Sequence, residues 1–282
     1  MENWVCARLT GGIGNRLFQL ATAHKLSVDW SVPLIFAMPY CLPSEHGDYE
    51  TIFKMFPGIT KVWKAEPLLA IEQDWAFKYT PFPTIPLADK ILLRGFWQAA
   101  EFVDTDKGLK PSWDSIDTET LLQRWNLTTT LQREKTAFLH VRLGDYTILP
   151  HHQVPLLPYY VKAMALFPED TRFLVFSDEP EKVKTFPILD ERCIIVKEDS
   201  ELKSLYLMAK CHAGAITANS TFSWWGAAFG RQDAAFGRQD AAVGGGGGGS
   251  SSYRACMPSQ WMGQCKESTN SIYPPWATVV SV

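Results

Sequence analysis

Apolar residues recur in short blocks along the chain, separated by polar turns. The first block, WVCARL at 4–9, is typical of a buried strand, and it runs into the glycine-rich turn 11–14. Beyond the turn, Leu17, Leu20 and Val28 are spaced for one face of a helix. The N-terminal pattern therefore predicts a strand, a tight turn and a helix.

The alternation is clearest after residue 135. It predicts strands over 137–141, 172–176, 193–196 and 213–217, with helices around 158–167, from about 200 and near 220. Strands that alternate with helices favour a parallel sheet covered by helices on both faces. The periodicity of 33–115 is weaker. We expect an α/β protein of two lobes, 1–130 and 131–282, with the boundary near 115–135.

A short repeat interrupts this pattern near the C-terminus. The heptad AAFGRQD occupies 227–233 and returns unchanged at 234–240, before six glycines at 244–249 and three serines. One tandem copy is too few for a solenoid, and a Gly/Ser run is typical of a flexible segment. We expect 234–252 to be a flexible insertion.

Composition restricts the class of protein. The chain has 282 residues, 46% of them hydrophobic and 20% charged, with a net charge of -3, as expected for a folded globular protein. Such a balance provides no overall field for nucleic acid or an anionic membrane. Any bound anion must be held locally, by a few placed residues.

The cysteines and the N-terminus give no sign of a metal site or of export. The six cysteines are scattered without a CxxC pair, so we expect buried free thiols and no metal. The N-terminus has no basic segment followed by an apolar one, and no apolar run reaches 18 residues. These features predict a cytoplasmic protein without a membrane span.

The glycine turn is the first candidate site. Gly11, Gly12 and Gly14 lie between a strand and a helix, where the backbone can approach a phosphate at the helix N-terminus. No Lys-Ser/Thr follows, so the turn is not a P-loop. Leu17 occupies the third glycine position of the dinucleotide fingerprint. A tight turn without a ligand is the alternative.

Two further strand ends carry ionisable residues. His140 and Arg142 share one face at the end of the strand 137–141, and Asp145 follows. Arginine suits phosphate oxygens, and Asp145 could act as a base or orient Arg142. An internal Arg142–Asp145 ion pair is the alternative. Asp178, after the next strand, could bind guanine or ribose, or could begin a solvated helix.

The junction after the strand 213–217 is the third candidate. Asn219, Ser220 and Thr221 can cap a helix whose free N–H groups suit phosphate. Ordinary capping is the alternative. Trp224 and Trp225, which follow, are predicted to belong to the core.

Together these motifs resemble those of glycosyltransferase family 11, the α-1,2-fucosyltransferases. The resemblance rests on four segments in order: GGIGNRLFQ (11–19), HVRLGDY (140–146), FSD (176–178) and STFSWWGA (220–227). The segments MPSQW (257–261) and SIYPPW (271–276) are similar to the ends of family members. Arg16 departs from the pattern, because glutamine is usual there, and it could add a cation near the phosphates.

The resemblance implies a GT-B-like architecture of two Rossmann-like lobes, with the donor site in the cleft. The N-terminal lobe would serve the acceptor, and the C-terminal lobe would bind GDP-fucose. The implied reaction is an inverting transfer of fucose from GDP-β-L-fucose to O-2 of a galactose in a glycan, without metal or another cofactor. No nucleic acid or membrane partner is implied.

The resemblance also implies roles for individual residues. Arg142 would bind the pyrophosphate and neutralise the departing GDP, and His140 would contact ribose or phosphate. Asp145 is the candidate base for the acceptor hydroxyl. The other expected donor contacts are Gly12, Asn15, Asp178, Asn219, Ser220, Thr221 and Ser223.

Other functions remain open at this point. The glycine turn could belong to a nicotinamide-dependent oxidoreductase, although the third glycine is missing. Eleven tryptophans would suit a non-catalytic carbohydrate-binding protein. A fucosyltransferase of another linkage, including a protein O-fucosyltransferase, shares most of the implied features.

Overall fold

The structure is a computed structural model that describes residues 2–43, 49–103, 108–242, 253–265 and 267–282. The chain divides into two compact units. Unit 1 comprises Met1–Ser115 and Ser268–Pro274, and unit 2 comprises Ile116–Glu267 and Pro275–Val282. The chain thus returns to unit 1 near its C-terminus, which the sequence pattern does not predict.

Unit 1 combines short strands with one long helix. Its strands are β1 (Trp4–Ala7), β2 (Ile35–Ala37), β3 (Thr60–Val62), β4 (Leu69–Glu72) and β5 (Lys90–Arg94). Its α-helices are α1 (Ile13–Trp30) and α2 (Glu50–Met55), with 3-10 turns at Met38–Tyr40, Ala100–Phe102 and Asn270–Ile272.

All strand pairs of unit 1 are parallel. β5 lies between β1 and β4, and β2 pairs with β3. A parallel bridge between Val5 and Leu34 joins β1 to the start of β2. The order is therefore β3-β2-β1-β5-β4, and it reverses between β1 and β5. Such a switch point is where open α/β sheets bind ligands, outside the carboxyl ends of the strands.

Helix α1 follows the predicted glycine turn. Leu17 and Leu20 are buried as predicted, but Val28 is 63% exposed, so its predicted burial was wrong. Near its end the helix buries the opposite side, because Leu26 and Trp30 pack inward there. The Trp30 indole donates a hydrogen bond to the Pro83 carbonyl at 2.9 Å, which fixes that side against the loop before β5.

Unit 2 alternates strands with helices. Its strands are β6 (Thr136–Val141), β7 (Arg172–Ser177), β8 (Cys193–Ile195), β9 (Gly214–Ile216), β10 (Arg254–Pro258) and β11 (Ala277–Val280). Its α-helices are α3 (Thr118–Arg124), α4 (Thr130–Glu134), α5 (Leu156–Met164), α6 (Pro180–Val183), α7 (Glu201–Ala209) and α8 (Thr221–Ala242), with a 3-10 turn at Gly144–Thr147. The predicted strands after residue 135 match β6 to β9, whereas β10 and β11 were not predicted.

The six strands of unit 2 form one parallel sheet in the order β11-β10-β9-β6-β7-β8. Counted from β6, this is the Rossmann order 3-2-1-4-5-6 read from the other edge. The order reverses between β6 and β9, which makes their carboxyl ends the switch point. The predicted α/β class, with two lobes built on parallel sheets, is confirmed.

The core of unit 2 explains why β6 is clear in the sequence. Ala137, Leu139 and Val141 alternate onto the face that packs against α5. The α5 tyrosines are buried there, and their hydroxyls donate to backbone carbonyls: Tyr159 to Cys256 at 2.8 Å and Tyr160 to His140 at 2.9 Å.

Helix α8 continues through both copies of the heptad. The first copy belongs to the core, since Ala227, Ala228 and Phe229 are at most 2% exposed. At its end, the Asp233 carboxylate lies 2.7 Å from His212 Nε2 and 2.6 Å from Lys210 Nζ. The expected insertion at 234–252 is therefore helical up to Ala242, and 243–252 lie outside the described residues.

The predicted free thiols are also observed. All six cysteines are free; Cys6, Cys41, Cys211 and Cys256 are buried, whereas Cys193 and Cys265 are half-buried. Burial raises the pKa of the Cys6 thiol to about 12. Within the described part of the chain, no helix is long and apolar enough to cross a membrane.

Candidate functional site

The candidate site residues of unit 2 lie at its switch point. His140 belongs to β6 and Arg142 follows it, while the loop after β9 leads through Asn219 and Ser220 into α8. β6 and β9 are paired in parallel, with Leu139 beside Ile216. Because both strands end at the same edge, residues about 80 positions apart in the sequence become neighbours there.

Arg142 lies between two carboxylates. Its Nη2 donates to Asp145 Oδ1 at 2.7 Å, and its Nε is 3.3 Å from Asp178 Oδ2. Nε is buried and the angle to Asp178 is too poor for a hydrogen bond, so this contact is an ion pair only. Burial opposes the charge of Arg142, but Asp178 and Asp145 outweigh burial, and the pKa of the guanidinium is raised. The internal ion pair considered from the sequence is therefore present.

Asp178 is committed to the protein in this structure. Its Oδ1 accepts the Leu143 backbone N–H at 2.9 Å, while Oδ2 faces Arg142. The side chain is 22% exposed. Asp178 thus holds both the backbone after β6 and one side of the Arg142 guanidinium. These contacts differ from the guanine or ribose contact predicted from the sequence.

Tyr146 is a residue to which sequence reasoning assigned no role. The Arg142 guanidinium lies 5.3 Å from the centre of its ring, and the His152 ring stacks on it at 4.2 Å with an interplanar angle of 4°. Its hydroxyl hydrogen-bonds the side chain of Ser220, and burial raises the pKa of the phenol to about 12. The sequence signal that could have found it is a tyrosine four positions after an arginine.

Asn219 holds the surrounding loops. Its Nδ2 donates to the carbonyls of His152 and Trp261, each at 3.0 Å. The residue is 3% exposed. Asn219 therefore positions the stacked His152 and the segment after β10, and both of its amide protons are used inside the protein.

The start of α8 contains both polar and core residues. Trp224 N donates to Ser220 O at 3.1 Å as an early bond of the helix, and the Ser223 hydroxyl donates to the same carbonyl at 3.2 Å. Ser223 is fully buried, whereas Thr221, the first residue of the helix, is half-buried. Trp224 and Trp225 are at most 1% exposed, which confirms the prediction that they belong to the core.

His140 lies beneath this edge rather than on it. It is 3% exposed, and its ring centre is 5.6 Å from that of Phe222. Burial, together with the positive charge of Arg142, lowers its pKa to about 3, so the imidazole is neutral. Its Nδ1 is buried without a hydrogen-bond partner among the described residues.

The glycine turn belongs to the switch point of unit 1. Gly11 has φ 76°, a left-handed conformation that favours glycine, and Gly12 caps α1 in an extended conformation. The Asn15 side chain is half-buried, and its Oδ1 accepts a hydrogen bond from Gln98 Nε2 at 2.8 Å. Gly12 and Asn15 thus lie in a different unit from the other predicted donor residues.

Arg16 is not a surface cation at this turn. It is 1% exposed, and its Nη2 is 3.4 Å from the Leu42 carbonyl. The Arg16 side chain therefore lies in the interior of unit 1, and its suggested contribution of positive charge to a phosphate site stays a prediction.

Taken together, the structure assembles seven of the predicted residues at or beneath one edge of unit 2, namely His140, Arg142, Asp145, Asp178, Asn219, Ser220 and Thr221, with Ser223 buried behind them. Across the described ranges, no group of three or more His, Cys, Asp or Glu side chains could hold a metal ion. The chemistry that this edge offers is one arginine, two carboxylates and the N-terminus of a long helix.

Two curated relatives come from Escherichia coli. An alpha-1,2-colitosyltransferase is 27% identical over 257 residues, covering 79% of this chain and 86% of the relative. The O-antigen biosynthesis glycosyltransferase WbnK is 36% identical over 107 residues, covering 34% of this chain and 35% of the relative.

Among solved structures, the chain is similar to two fucosyltransferases. NodZ, an alpha-1,6-fucosyltransferase from Bradyrhizobium soaked with GDP-fucose, matches with 15% identity over 80% of this chain and 92% of NodZ, at a TM-score of 0.48. A mutant of Arabidopsis thaliana FUT1 in complex with GDP matches with 13% identity over 82% of this chain and 69% of FUT1, at a TM-score of 0.43.

The family model for glycosyl transferase family 11 matches residues 73–235. This match spans more than half of the 282 residues, from the residue after β4 into the second heptad, and includes Arg142, Asp145, Asp178 and the start of α8. The chain is therefore a glycosyltransferase and belongs to glycosyltransferase family 11.

Proposed function

We propose that the protein transfers L-fucose from GDP-β-L-fucose to O-2 of a galactose in a glycan acceptor, with inversion, forming an α-1,2 linkage. The observation that carries this proposal is Arg142 at the Rossmann switch point, 2.7 Å from Asp145 and beside the start of α8. Family membership and a relative with α-1,2 specificity support the linkage.

The departing diphosphate is the group that this edge would stabilise. Cleavage of the sugar–phosphate bond leaves negative charge on GDP, and preorganised donors lower the barrier by binding that charge. Arg142 would supply the cation, with the hydroxyls of Ser220 and Thr221 beside it. The first N–H groups of α8 have no acceptor within the helix and would complete the site.

Asp145 is the proposed base. Without donor, its carboxylate is bound to Arg142. A bound diphosphate would compete for the guanidinium and release Asp145, which would then take the proton of the acceptor hydroxyl as that oxygen attacks the anomeric carbon. The same exchange explains why the site carries two carboxylates next to the arginine that binds an anion. They hold Arg142 in place until the donor arrives.

Metal-free transfer is part of the proposal. Arg142 and the helix N-terminus can serve as the electrophile that a divalent cation would otherwise provide. We expect full activity after dialysis against EDTA, measured as GDP release. Loss of activity that Mg²⁺ or Mn²⁺ restores would contradict this part of the proposal.

The sugar on the donor has one specific alternative. The 27% identical relative is named for transfer of colitose, the 3-deoxy analogue of fucose. GDP-colitose is therefore the second candidate donor, and it would use the same diphosphate contacts.

The deciding experiment combines donor screening with determination of the linkage. GDP, GDP-fucose, GDP-colitose and GDP-mannose are compared by thermal shift, and transfer to β-galactosides is followed by NMR of the product. We expect GDP-fucose to stabilise and react, with a correlation between fucose H-1 and galactose C-2. Reaction with GDP-colitose alone selects the second candidate, and reaction with GDP-mannose alone refutes both.

The same experiment separates the remaining alternatives. A correlation to another galactose carbon would indicate a different linkage, and transfer only to a protein acceptor would indicate protein O-fucosylation. A non-catalytic carbohydrate-binding protein would bind β-galactosides without any shift from GDP.

A further inference from the structure

The tyrosine beside the Arg142 guanidinium has a second aromatic neighbour, His152. The Tyr146 and His152 rings are parallel to within 4°, with their centres 4.2 Å apart. The centre of the Tyr146 ring is also 5.3 Å from the guanidinium carbon of Arg142. None of the sequence segments that carry the family resemblance includes position 152. The link from His152 to the anion site is therefore visible only in the structure.

The backbone of His152 is fixed from two directions. Its N–H donates to the Leu149 carbonyl at 2.9 Å within the same loop, and its carbonyl accepts a hydrogen bond from Asn219 Nδ2 at 3.0 Å. Asn219 is 3% exposed, and its Nδ2 also donates to the Trp261 carbonyl at 3.0 Å. The imidazole thus extends from a backbone that the segment after β9 holds in place.

The segment after β10 supports the same loop. Gly263 N donates to the His151 carbonyl at 2.8 Å. A Cβ at Gly263 would collide with the carbonyl oxygens of Gln153 and Pro150, so only glycine allows this close approach. The loop that carries His152 is therefore packed tightly between two neighbouring segments of unit 2.

The guanidinium of Arg142 depends on the position of the tyrosine ring. The attraction between a cation and an aromatic face weakens when the ring turns or moves away. The Tyr146 hydroxyl is bound by the Ser220 side chain, which fixes the outer end of the phenol. The parallel imidazole of His152 fixes the plane of the ring. The two contacts together determine where the ring lies beside the guanidinium.

We propose that His152 is a positioning residue of the anion site, whose ring holds Tyr146 against Arg142 and so keeps the guanidinium where a diphosphate would bind. The proposal rests on the proposed function and adds a residue from outside the family motifs. His152 itself would not touch the donor. Loss of its ring should therefore weaken binding of the diphosphate more than it slows the chemical step.

The test measures GDP binding by isothermal titration calorimetry and KM for GDP-fucose by steady-state kinetics. We expect His152→Ala to weaken GDP binding and to raise KM for GDP-fucose about five-fold each, because the stacking surface is lost. The change in kcat should be smaller than the change in KM. His152→Phe, which keeps a flat ring at this position, should restore both values to within about two-fold of wild type.

A double-mutant cycle shows whether His152 acts through Tyr146. In the Tyr146→Leu background, the effect of His152→Ala on GDP binding should largely disappear. A merely structural role would lower the Tm of His152→Ala and weaken GDP binding equally in both backgrounds.

The neighbouring histidine provides the matched control. His151 is exposed, and its ring is tilted by 53° against that of His152. Its hydrogen bond to Gly263 uses the backbone carbonyl, which a substitution keeps. His151→Ala should therefore leave GDP binding and KM for GDP-fucose within about two-fold of wild type.

Three results would overturn the role of His152: unchanged GDP binding in His152→Ala, no recovery in His152→Phe, or full additivity with Tyr146→Leu. Failure of the proposed function is recognised separately in the wild type. A wild type that binds GDP but transfers no fucose refutes the proposed function alone, and the GDP titrations still decide the role of His152. A wild type that binds no GDP refutes both.

Discussion

The two units repeat one plan with different side chains at the switch point. Both are parallel sheets whose strand order reverses once. In unit 1 a glycine-containing loop follows the central strand β1, and in unit 2 the start of helix α8 follows the central strand β9. In unit 2 the edge is charged, with Arg142 between Asp145 and Asp178. In unit 1 the amides of Asn15 and Gln98 are joined at 2.8 Å, and Arg8 and Phe96 are exposed just beyond β1 and β5.

This difference shows how one architecture can carry different side chains at the same position of the sheet. The fold fixes where a ligand can approach, and the residues just beyond the strands decide its charge. A nucleotide diphosphate needs a cation and free N–H groups, and Arg142 and the start of α8 bring both to the edge of unit 2. The predictions below test whether the charged edge of unit 2 has the role that this comparison gives it.

The largest effect is expected for Arg142→Ala. Removing the only side chain proposed to neutralise the departing diphosphate should lower kcat/KM on the order of 10³-fold, while the circular dichroism spectrum stays unchanged. Arg124→Ala is the matched control, since the Arg124 side chain is 55% exposed and pairs with Glu198, outside the Arg142 cluster. Comparable losses in both variants, or near-full activity of Arg142→Ala, would rule out the assigned role.

Asp145→Asn should lower kcat on the order of 10²-fold, because the base is lost while the size of the side chain is kept. The acidic limb of the wild-type pH–rate profile should flatten in this variant. Asp178→Asn is the comparison, and it should retain that limb because Asp178 is proposed only to hold Arg142 and Leu143. A limb that persists in Asp145→Asn would assign the base to another residue.

His140→Phe tests the neutral histidine beneath the charged edge. The pKa of His140 is lowered to about 3, so below its ordinary value of 6.5 the unfolded chain binds a proton that the folded protein does not. Wild-type stability should therefore fall between pH 6.5 and 3. The free energy of unfolding, measured with urea, should decrease from pH 7 to pH 4 in both proteins. The decrease should be about 2–3 kcal/mol larger in the wild type than in the variant. Equal drops would show that His140 is accessible to protons in the folded state.

Tyr146→Leu should raise KM for GDP-fucose about ten-fold, because the guanidinium loses the ring beneath it and Ser220 loses its partner. Tyr146→Phe keeps the ring and should change KM about two-fold or less, which separates stacking from the hydroxyl. Since Tyr146 acts through Arg142, the effect should largely disappear when both variants are made in the Arg142→Ala background. Full additivity there would indicate an independent role.

The smallest effect concerns salt. Raising NaCl from about 0.05 to 0.5 M should increase KM for GDP-fucose a few-fold through screening of the anion site, while KM for a neutral galactoside stays constant. Initial rates at several salt concentrations provide the measurement. A parallel increase of both KM values would show that the salt effect is not specific to the anion site of unit 2.

Sequence reasoning was most successful where a signal is local. β6 to β9 were predicted because each is a short apolar run between clear helix patterns, although the residues of β8 are half-buried or exposed. The Arg142–Asp145 pair was foreseen as a possibility because the two residues are only three positions apart. In unit 1, β3 and β4 escaped prediction because they are short and largely half-buried or exposed, so they carry little hydrophobic pattern. β10 begins at Arg254, one residue beyond the undescribed 243–252, and therefore has no clear helix pattern directly before it in the sequence.

The contacts at the switch points of both units depend on the order of the strands. Arg142 and Asp178 directly follow the neighbouring strands β6 and β7, and Ser220 reaches Tyr146 only because β9 lies beside β6. Trp97, which has φ 57°, likewise depends on a distant segment: Trp97 N donates to Gln73 Oε1 at 2.6 Å, and the next residue, Gln98, donates its N–H to Ala76 O at 2.7 Å. A motif can show which type of side chain is present, but the order and register of the strands determine which other residue it contacts.

The sequence by itself determined the α/β class, the strand–turn–helix segments and the residue types from which an anion site could be built. These follow from local periodicity and short motifs, because neighbours along the chain fix the helix and strand conformations. Only the tertiary structure decided that Arg142 is held by two carboxylates and a tyrosine, that Arg16 is buried, and that Phe96 is exposed. The physical reason is that parallel strands bring distant carboxyl ends to one edge, and packing there decides which side chains face inward.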